Sequence, residues 1–150
     1  MRTVRLAACC AVVAFATGVA TPQTQAGMIV GAWNCAADAG GGVVKGRMVY
    51  NADGSTDSAL TIDLDTDEGN LVAEVETRSS WKLTGDGVIE EQILEAIVNS
   101  AKLDGEDLPE GIRADIEASL LEELGPSTIE LSPTQMVLVD GEGTRTVCMR

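Results

Sequence analysis

Histidine is missing from this 150-residue chain, and aromatic side chains are nearly so: two Trp, one Tyr and one Phe. Without histidine there is no Ser-His-Asp triad, no Cys-His pair and no His-ligated zinc. Phe15 falls in the N-terminal apolar stretch, which leaves only Trp33, Tyr50 and Trp81 to stack on a sugar or a base. Positive charge is also scarce. Ten Lys and Arg face 24 Asp and Glu, for a formal net charge of -14. Such a surface repels nucleic acid and anionic lipid, so no nucleic-acid partner is expected. It favours solubility and suits a basic partner or a divalent cation. Long hydrophobic runs are absent too. Leu6 to Ala16 is the one sustained apolar stretch, and a spanning helix needs roughly 20 apolar residues, so no stable membrane anchor is expected.

What the first segment does contain is the pattern of a secretory signal peptide. Arg2 and Arg5 precede the short apolar run, and small residues follow it. Cleavage after Ala20 or after Ala26 fits the small-x-small preference, and both remain open. "LAAC", Leu6 to Cys9, mimics a lipid-attachment motif but comes too early, before any full apolar segment. We therefore expect residues 1–26 to be removed and 27–150 to form one domain in a periplasmic or secreted protein. Loss of Arg2 and Arg5 makes the mature chain more acidic still. Cys9 and Cys10 leave with the signal, so Cys35 and Cys148 remain, one near each end. An even cysteine count in an oxidising compartment reads as a disulfide. A thiol metal or redox site is the sharper alternative, disfavoured by the lack of Cys-x-x-Cys and of histidine.

Most of the mature sequence reads as short strands punctuated by turns. "VVKGRMVY" puts Val44, Gly46, Met48 and Tyr50 on one face, and Asp53-Gly54 follows as a hairpin signal. "ALTIDLD" places Leu60, Ile62 and Leu64 inward, and "LVAEVETRSSWKL" places Leu71, Ala73 and Val75 inward, with Trp81 and Leu83 after an irregular Arg78-Ser79-Ser80. "STIEL", "TQMVLV" and "TRTVCM" are three further strands. One helix is predicted within 107–125: Ile112, Ile116, Leu120, Leu121 and Leu124 recur at helical spacing, Asp107 and Glu110 have capping-box separation, and Gly125-Pro126 ends it. Residues 88 to 92 read as strand; 93–103 fit either helix or strand. About eight antiparallel strands with one late helical insertion predict a mainly β protein, a small barrel or sandwich.

The two ends of the mature chain carry complementary patterns. If the first and last strands pair antiparallel with Cys35 opposite Cys148, Trp33 falls opposite Arg150. Side-chain alternation then puts all four on one face, with Gly31 leaving space beside the indole. "GAW" near the mature N-terminus, with an arginine in the last strand, resembles the Gly-x-Trp signature of the calycins, the lipocalins and fatty-acid-binding proteins. "VCMR" is similar to the Cys-x-Arg near the end of many fatty-acid-binding proteins. The whole order also looks like small secreted bacterial lipocalin-like proteins of unassigned function. The resemblance implies a closed calycin-like barrel in which Gly31, Trp33 and Arg150 close one end. It departs from fatty-acid-binding proteins in its late helix and in having no recognisable Arg-x-Tyr clamp, so fatty-acid binding is not implied.

Other constellations carry chemistry less strongly. Asp63, Asp65, Asp67 and Glu74 have the spacing of calcium-loop positions one, three, five and twelve, but Glu68 stands where that loop needs glycine and the flanks read as strands. "GEGTRT", Gly141 to Thr146, reads as a hairpin turn and not a phosphate loop. Paired carboxylates for glycoside chemistry stay open on composition alone, with few rings to hold a sugar. Arg47, Tyr50, Arg78 and Trp81 are the unusual non-acidic side chains on the strands, candidates to orient a ligand's polar end. The competing reading makes them interior filler and surface ion pairs. The expectation is a monomeric binding protein for a small apolar ligand or a protein partner, without catalysis or cofactor. The alternative is an envelope protease inhibitor or interaction protein with a filled barrel.

Overall fold

The computed structural model describes residues 24–85, 87–121 and 125–150. The elements follow in the order α1 (Gln25–Ile29), β1 (Gly31–Asp38), β2 (Gly42–Tyr50), β3 (Ser55–Thr66), β4 (Gly69–Gly85), β5 (Val88–Leu103), β6 (Glu106–Asp107), α2 (Glu110–Leu120), β7 (Ser127–Leu131), β8 (Gln135–Val139) and β9 (Arg145–Met149). The signal-peptide assignment and the "LAAC" motif lie outside the described residues as far as Gln23. Thr24, Gln25 and Ala26 belong to the turn of α1, where the Thr24 hydroxyl accepts from the Gly27 amide.

Every strand pairs antiparallel with its sheet neighbours. β1 to β5 form a meander, β5 pairs with β7, and β7, β8 and β9 return to β1. Eight strands therefore close a ring, and the two-residue β6 is an extra pairing on β5. Closure pairs each strand of the ring on both sides over part of its length, the β5–β7 seam being two residue pairs, Val88↔Thr128 and Ile89↔Ser127. Among the described residues no helix is long and apolar enough to cross a membrane.

Alternation fixes which side chains enter the ring. Cross-strand partners share a face, so Trp33↔Met48, Cys35↔Gly46 and Gly31↔Tyr50 face inward together. They continue through Ser58, Leu60 and Thr56 on β3 to Thr77, Val75 and Ser79 on β4. Gly46 is required for this approach, because a Cβ there would collide with the Ala59 carbonyl oxygen. One end of the ring is packed solid: Ile29, Trp33, Tyr50, Ile89, Met136 and Cys148 are buried in one cluster.

That end is closed where β1 meets β9. Cys35 and Cys148 are direct strand partners and disulfide-bonded. The Arg150 guanidinium lies 4.1 Å from the Trp33 ring centroid. It donates to the carbonyls of Met28 (2.9 Å), Val30 (3.2 Å) and Pro133 (2.7 Å), tying α1 and the β7–β8 turn together. Trp33 Nε1 donates to the Ile29 carbonyl at 2.7 Å, so the buried ring leaves no polar atom unpaired. Gly31, at φ +132°, lies so close to Arg150 that a side chain there would meet Nη1 at 3.1 Å.

The other end is uneven. β3, β4 and β5 run 12, 17 and 16 residues, whereas β7, β8 and β9 run five each. The overhanging inner face, with Ala73, Val75, Val98 and Ala101, is covered by Leu108 and by Ile116 and Leu120 of α2. A register shift between Glu74 and Val75 leaves Asn99 unpaired across the ladder, and the nearby Val98 amide donates instead to Glu117 of α2 at 2.7 Å. α2 begins later than the capping-box pattern implied. Pro109 is the N-cap and no side chain caps it, because Asp107 is engaged in β6, opposite Lys102. The ambiguous 93–103 stretch is strand throughout. The predicted helix continuation over 122–124 lies outside the described residues.

Two stability changes follow. Trp33→Ala should lower unfolding free energy by about 3–5 kcal/mol. Replacing both Cys35 and Cys148 by Ala should lower it by about 4–5 kcal/mol if loop entropy dominates. Urea denaturation midpoints check both. Glu117→Ala should leave the ring closed but speed hydrogen exchange at the Val98 amide, read by NMR, because that donor loses its acceptor.

Candidate functional site in the barrel interior

The interior between the packed end and α2 is polar. Thr56, Ser58, Thr77 and Ser79 are all buried and face inward from β3 and β4. The hydroxyls of Thr56 and Ser58 have no hydrogen-bond partner in the protein. A buried hydroxyl left unpaired costs about 1–3 kcal/mol, so stability alone gives no reason for this belt.

Next to the belt stands Glu91, which pairs across the ladder with Trp81 on the inward face of β5. Tyr50 is 1 % exposed, and its hydroxyl makes no hydrogen bond of full geometry. It meets the Trp81 ring edge-on, with centroids 5.8 Å apart. Trp81 is held in turn by its Nε1, which donates to the Asn51 and Ser55 carbonyls at 3.2 Å each. Burial pushes the Glu91 carboxyl above its ordinary value of 4.5. Burial first, and then the negative charge of Glu91, push the Tyr50 phenol well above 10.0. Glu91 therefore gives up its proton less readily than an exposed carboxyl, and the Tyr50 phenol stays neutral at physiological pH.

Glu91 opens onto two adjoining cavities. One, of about 540 Å³, is lined by Trp81, Glu91, Gln92, Gly125 and Pro126 among others. The second, of about 480 Å³, shares Glu91 and Gly125 and is bounded by Ser127, Leu138, Thr146 and the β8–β9 turn. In that turn Asp140 accepts the amides of Glu142 and Thr144 at 2.9 and 2.8 Å. Those bonds, led by the one from Thr144, hold its carboxyl below the usual range. The "GEGTRT" stretch thus forms part of this hairpin and the start of β9. A further cavity, of about 410 Å³, lies between α2 and the far end of β3–β5, lined by Leu71, Leu103, Leu108, Ile112 and Ile116.

The four ligand-orienting candidates divide between the two faces of the sheet. Tyr50 and Trp81 lie together inside. Arg47 and Arg78 lie outside, in a groove of about 440 Å³ with Asp57, Glu76, Glu95 and Ile97. Arg78 reaches Asp57 at 3.7 Å, an exposed pair of small worth. The calcium-loop spacing is dispersed by strand register: Asp63 and Asp65 both accept from Asn70 Nδ2, at 3.0 and 3.1 Å, Asp67 lies in the β3–β4 turn, and Glu74 pairs with Thr61. Among the described residues no group of three or more Cys, Asp or Glu is placed to hold a metal ion.

Glu91 escapes a reading by residue type, because the chain is full of acids. Its signal lies in "VIEEQI": if Ile89 points inward, period-two alternation carries Glu91 inward as well. No protein-family profile matches the chain, and no curated protein is significantly similar to it.

A pH experiment tests the site. Between 4.5 and the raised folded value, the unfolded chain has lost the Glu91 proton while the folded chain keeps it, so stability falls as pH rises through that window. The titratable groups around it are the neutral Tyr50 phenol within the ring, Lys82 and Glu90 across the first cavity, and Asp140 and Glu142 at the second. Glu91→Gln should raise the melting temperature above this window and leave it unchanged at about pH 3.5. Differential scanning calorimetry across pH reads the difference.

Proposed function

We propose that this is a calycin-like binding protein of the periplasm or extracellular space, which holds a small ligand in the cavities beside Glu91 and Trp81. The ring of eight antiparallel strands, the Gly31–Trp33–Arg150 closure and the disulfide support the calycin-like reading. The disulfide also supports an oxidising compartment. Signal cleavage after Ala20 would keep α1 whole, and cleavage after Ala26 would remove its N-cap.

The observation that carries the ligand reading is the inward pair of Trp81 and Glu91, backed by the buried Tyr50, opening onto space of ligand size. Cavities of several hundred Å³ with apolar walls and a few convergent polar groups are the usual form of small-molecule sites. An aromatic edge and Leu138 offer contact to an apolar body, and Glu91 offers one strong polar anchor. Binding without catalysis is the better reading. Both cysteines of the mature domain are bonded to each other, and histidine is absent. A second reading, docking of a protein partner, is favoured by the outer groove, where Ile97 stays 45 % exposed beside Arg47 and Arg78.

The two tryptophans make the ligand reading testable. Trp33 is fully buried under Arg150, whereas Trp81 lines a cavity. With 2-phenylethanol as a probe, intrinsic fluorescence should change saturably in the natural protein and in Trp33→Phe. The change should vanish in Trp81→Phe. An unchanged signal in all three, together with no heat of binding in calorimetry, would remove the cavity reading.

A further inference from the structure

We propose that the ligand carries a basic nitrogen, an organic ammonium group, and that Glu91 is the residue that pairs with it. The inference rests on the cavity reading above and adds the chemical class of the ligand. Glu91 is a carboxylate facing the inside of the ring, and among the described residues it has no cationic partner. Lys82 is engaged with Glu90 at 2.8 Å, Arg78 reaches Asp57, and Lys102 reaches Asp107. A carboxylate taken from water without a counter-ion is costly, and a bound cation is one way to offset that cost.

The surroundings of Glu91 fit a cation better than any other ligand end. Trp81 is its direct cross-strand neighbour, and an indole face attracts an ammonium group by its quadrupole. Tyr50, almost wholly buried beside Trp81, lines neither cavity, and its neutral phenol brings no competing charge to Glu91. The second cavity adds two more carboxylates, Asp140 and Glu142, and no Lys or Arg lines it. The excess of acids over the whole chain steers cations toward this mouth and anions away from it. An anionic ligand such as a fatty acid would meet like charge at Glu91, Asp140 and Glu142, and Lys82 at the first cavity is already engaged with Glu90.

The test uses the mature protein with its disulfide intact and three probes with the same phenylethyl body, 2-phenylethylammonium, 2-phenylethanol and the slightly larger 3-phenylpropanoate, compared by titration calorimetry at about pH 7.5. The ammonium should bind roughly tenfold or more tighter than the alcohol, and the carboxylate weakest. Glu91→Gln should abolish the preference for the ammonium while leaving alcohol binding in place, and Glu91→Asp, which keeps the charge, should retain it. Equal binding of ammonium and alcohol, a preference for the carboxylate, or a preference that survives Glu91→Gln would overturn the inference and leave the cavity reading standing. Failure of all three probes to bind would overturn both. Should the Gln variant not fold, the order of the three probes on the natural protein decides the matter.

Discussion

Pairing of β1 with β9 is the constraint on which the remaining architecture depends. A meander of antiparallel strands can stay open, twisted and edge-exposed, and nothing in β2 to β8 forces it to close. Closure here is fixed at one short seam by three interactions of different character: a covalent bond between Cys35 and Cys148, backbone pairing over four residue pairs, and the Arg150 guanidinium over the Trp33 ring. Arg150 does more than cover an aromatic face. Its three nitrogens each reach a different backbone carbonyl, so helix, turn and terminus are brought to one point. With the ring fixed at that end, the inward alternation of every other strand has a common interior to face.

The interior that results is not uniform. The clasped end is packed with large apolar side chains, and the opposite end is covered by α2 because three strands outrun their neighbours. Between the two lies a layer of small hydroxyl side chains and one inward carboxyl. Layers of this sort cost stability, as the unpaired Thr56 and Ser58 hydroxyls illustrate. In a binding protein such a cost is repaid only when something else enters the layer. The polar belt and the cavities at Glu91 are neighbouring but separate features of this interior, since none of the four belt residues lines either cavity.

The parts of this fold legible in the sequence were those with strict period two. Val44 to Tyr50, Leu60 to Leu64 and Leu71 to Val75 alternate without interruption, and their inward faces read directly. The Cys35–Cys148 register was also legible, since setting Cys9 and Cys10 aside with the expected signal peptide leaves one pairing among the four cysteines. Residues 93–103 were not, and the reason is geometric. Inward positions on β5 run Ile89, Glu91, Ile93, Ala96, Val98, Ala101 and Leu103, because register shifts skip Leu94 and Asn99. Steps of two mixed with steps of three imitate helical spacing. The same bulges turn Leu94 and Ile97 outward, 57 % and 45 % exposed, where apolar residues mislead a periodicity count. Residue type grouped Tyr50 and Trp81, which face the interior, with Arg47 and Arg78, which strand parity sends to the other face. It overlooked Glu91 because one inward acid is invisible among 24 acids until its strand phase is known.

The disulfide spans 113 positions of sequence, which gives the molecule an unusual tolerance to backbone scission. A single cut in any turn between Ala36 and Val147 produces two polypeptides that remain one covalent species, still threaded into the same hydrogen-bonded ring. For a protein exposed to peptidases, a nick in the β8–β9 hairpin or in the segment around α2 would then be a change of connectivity without loss of assembly.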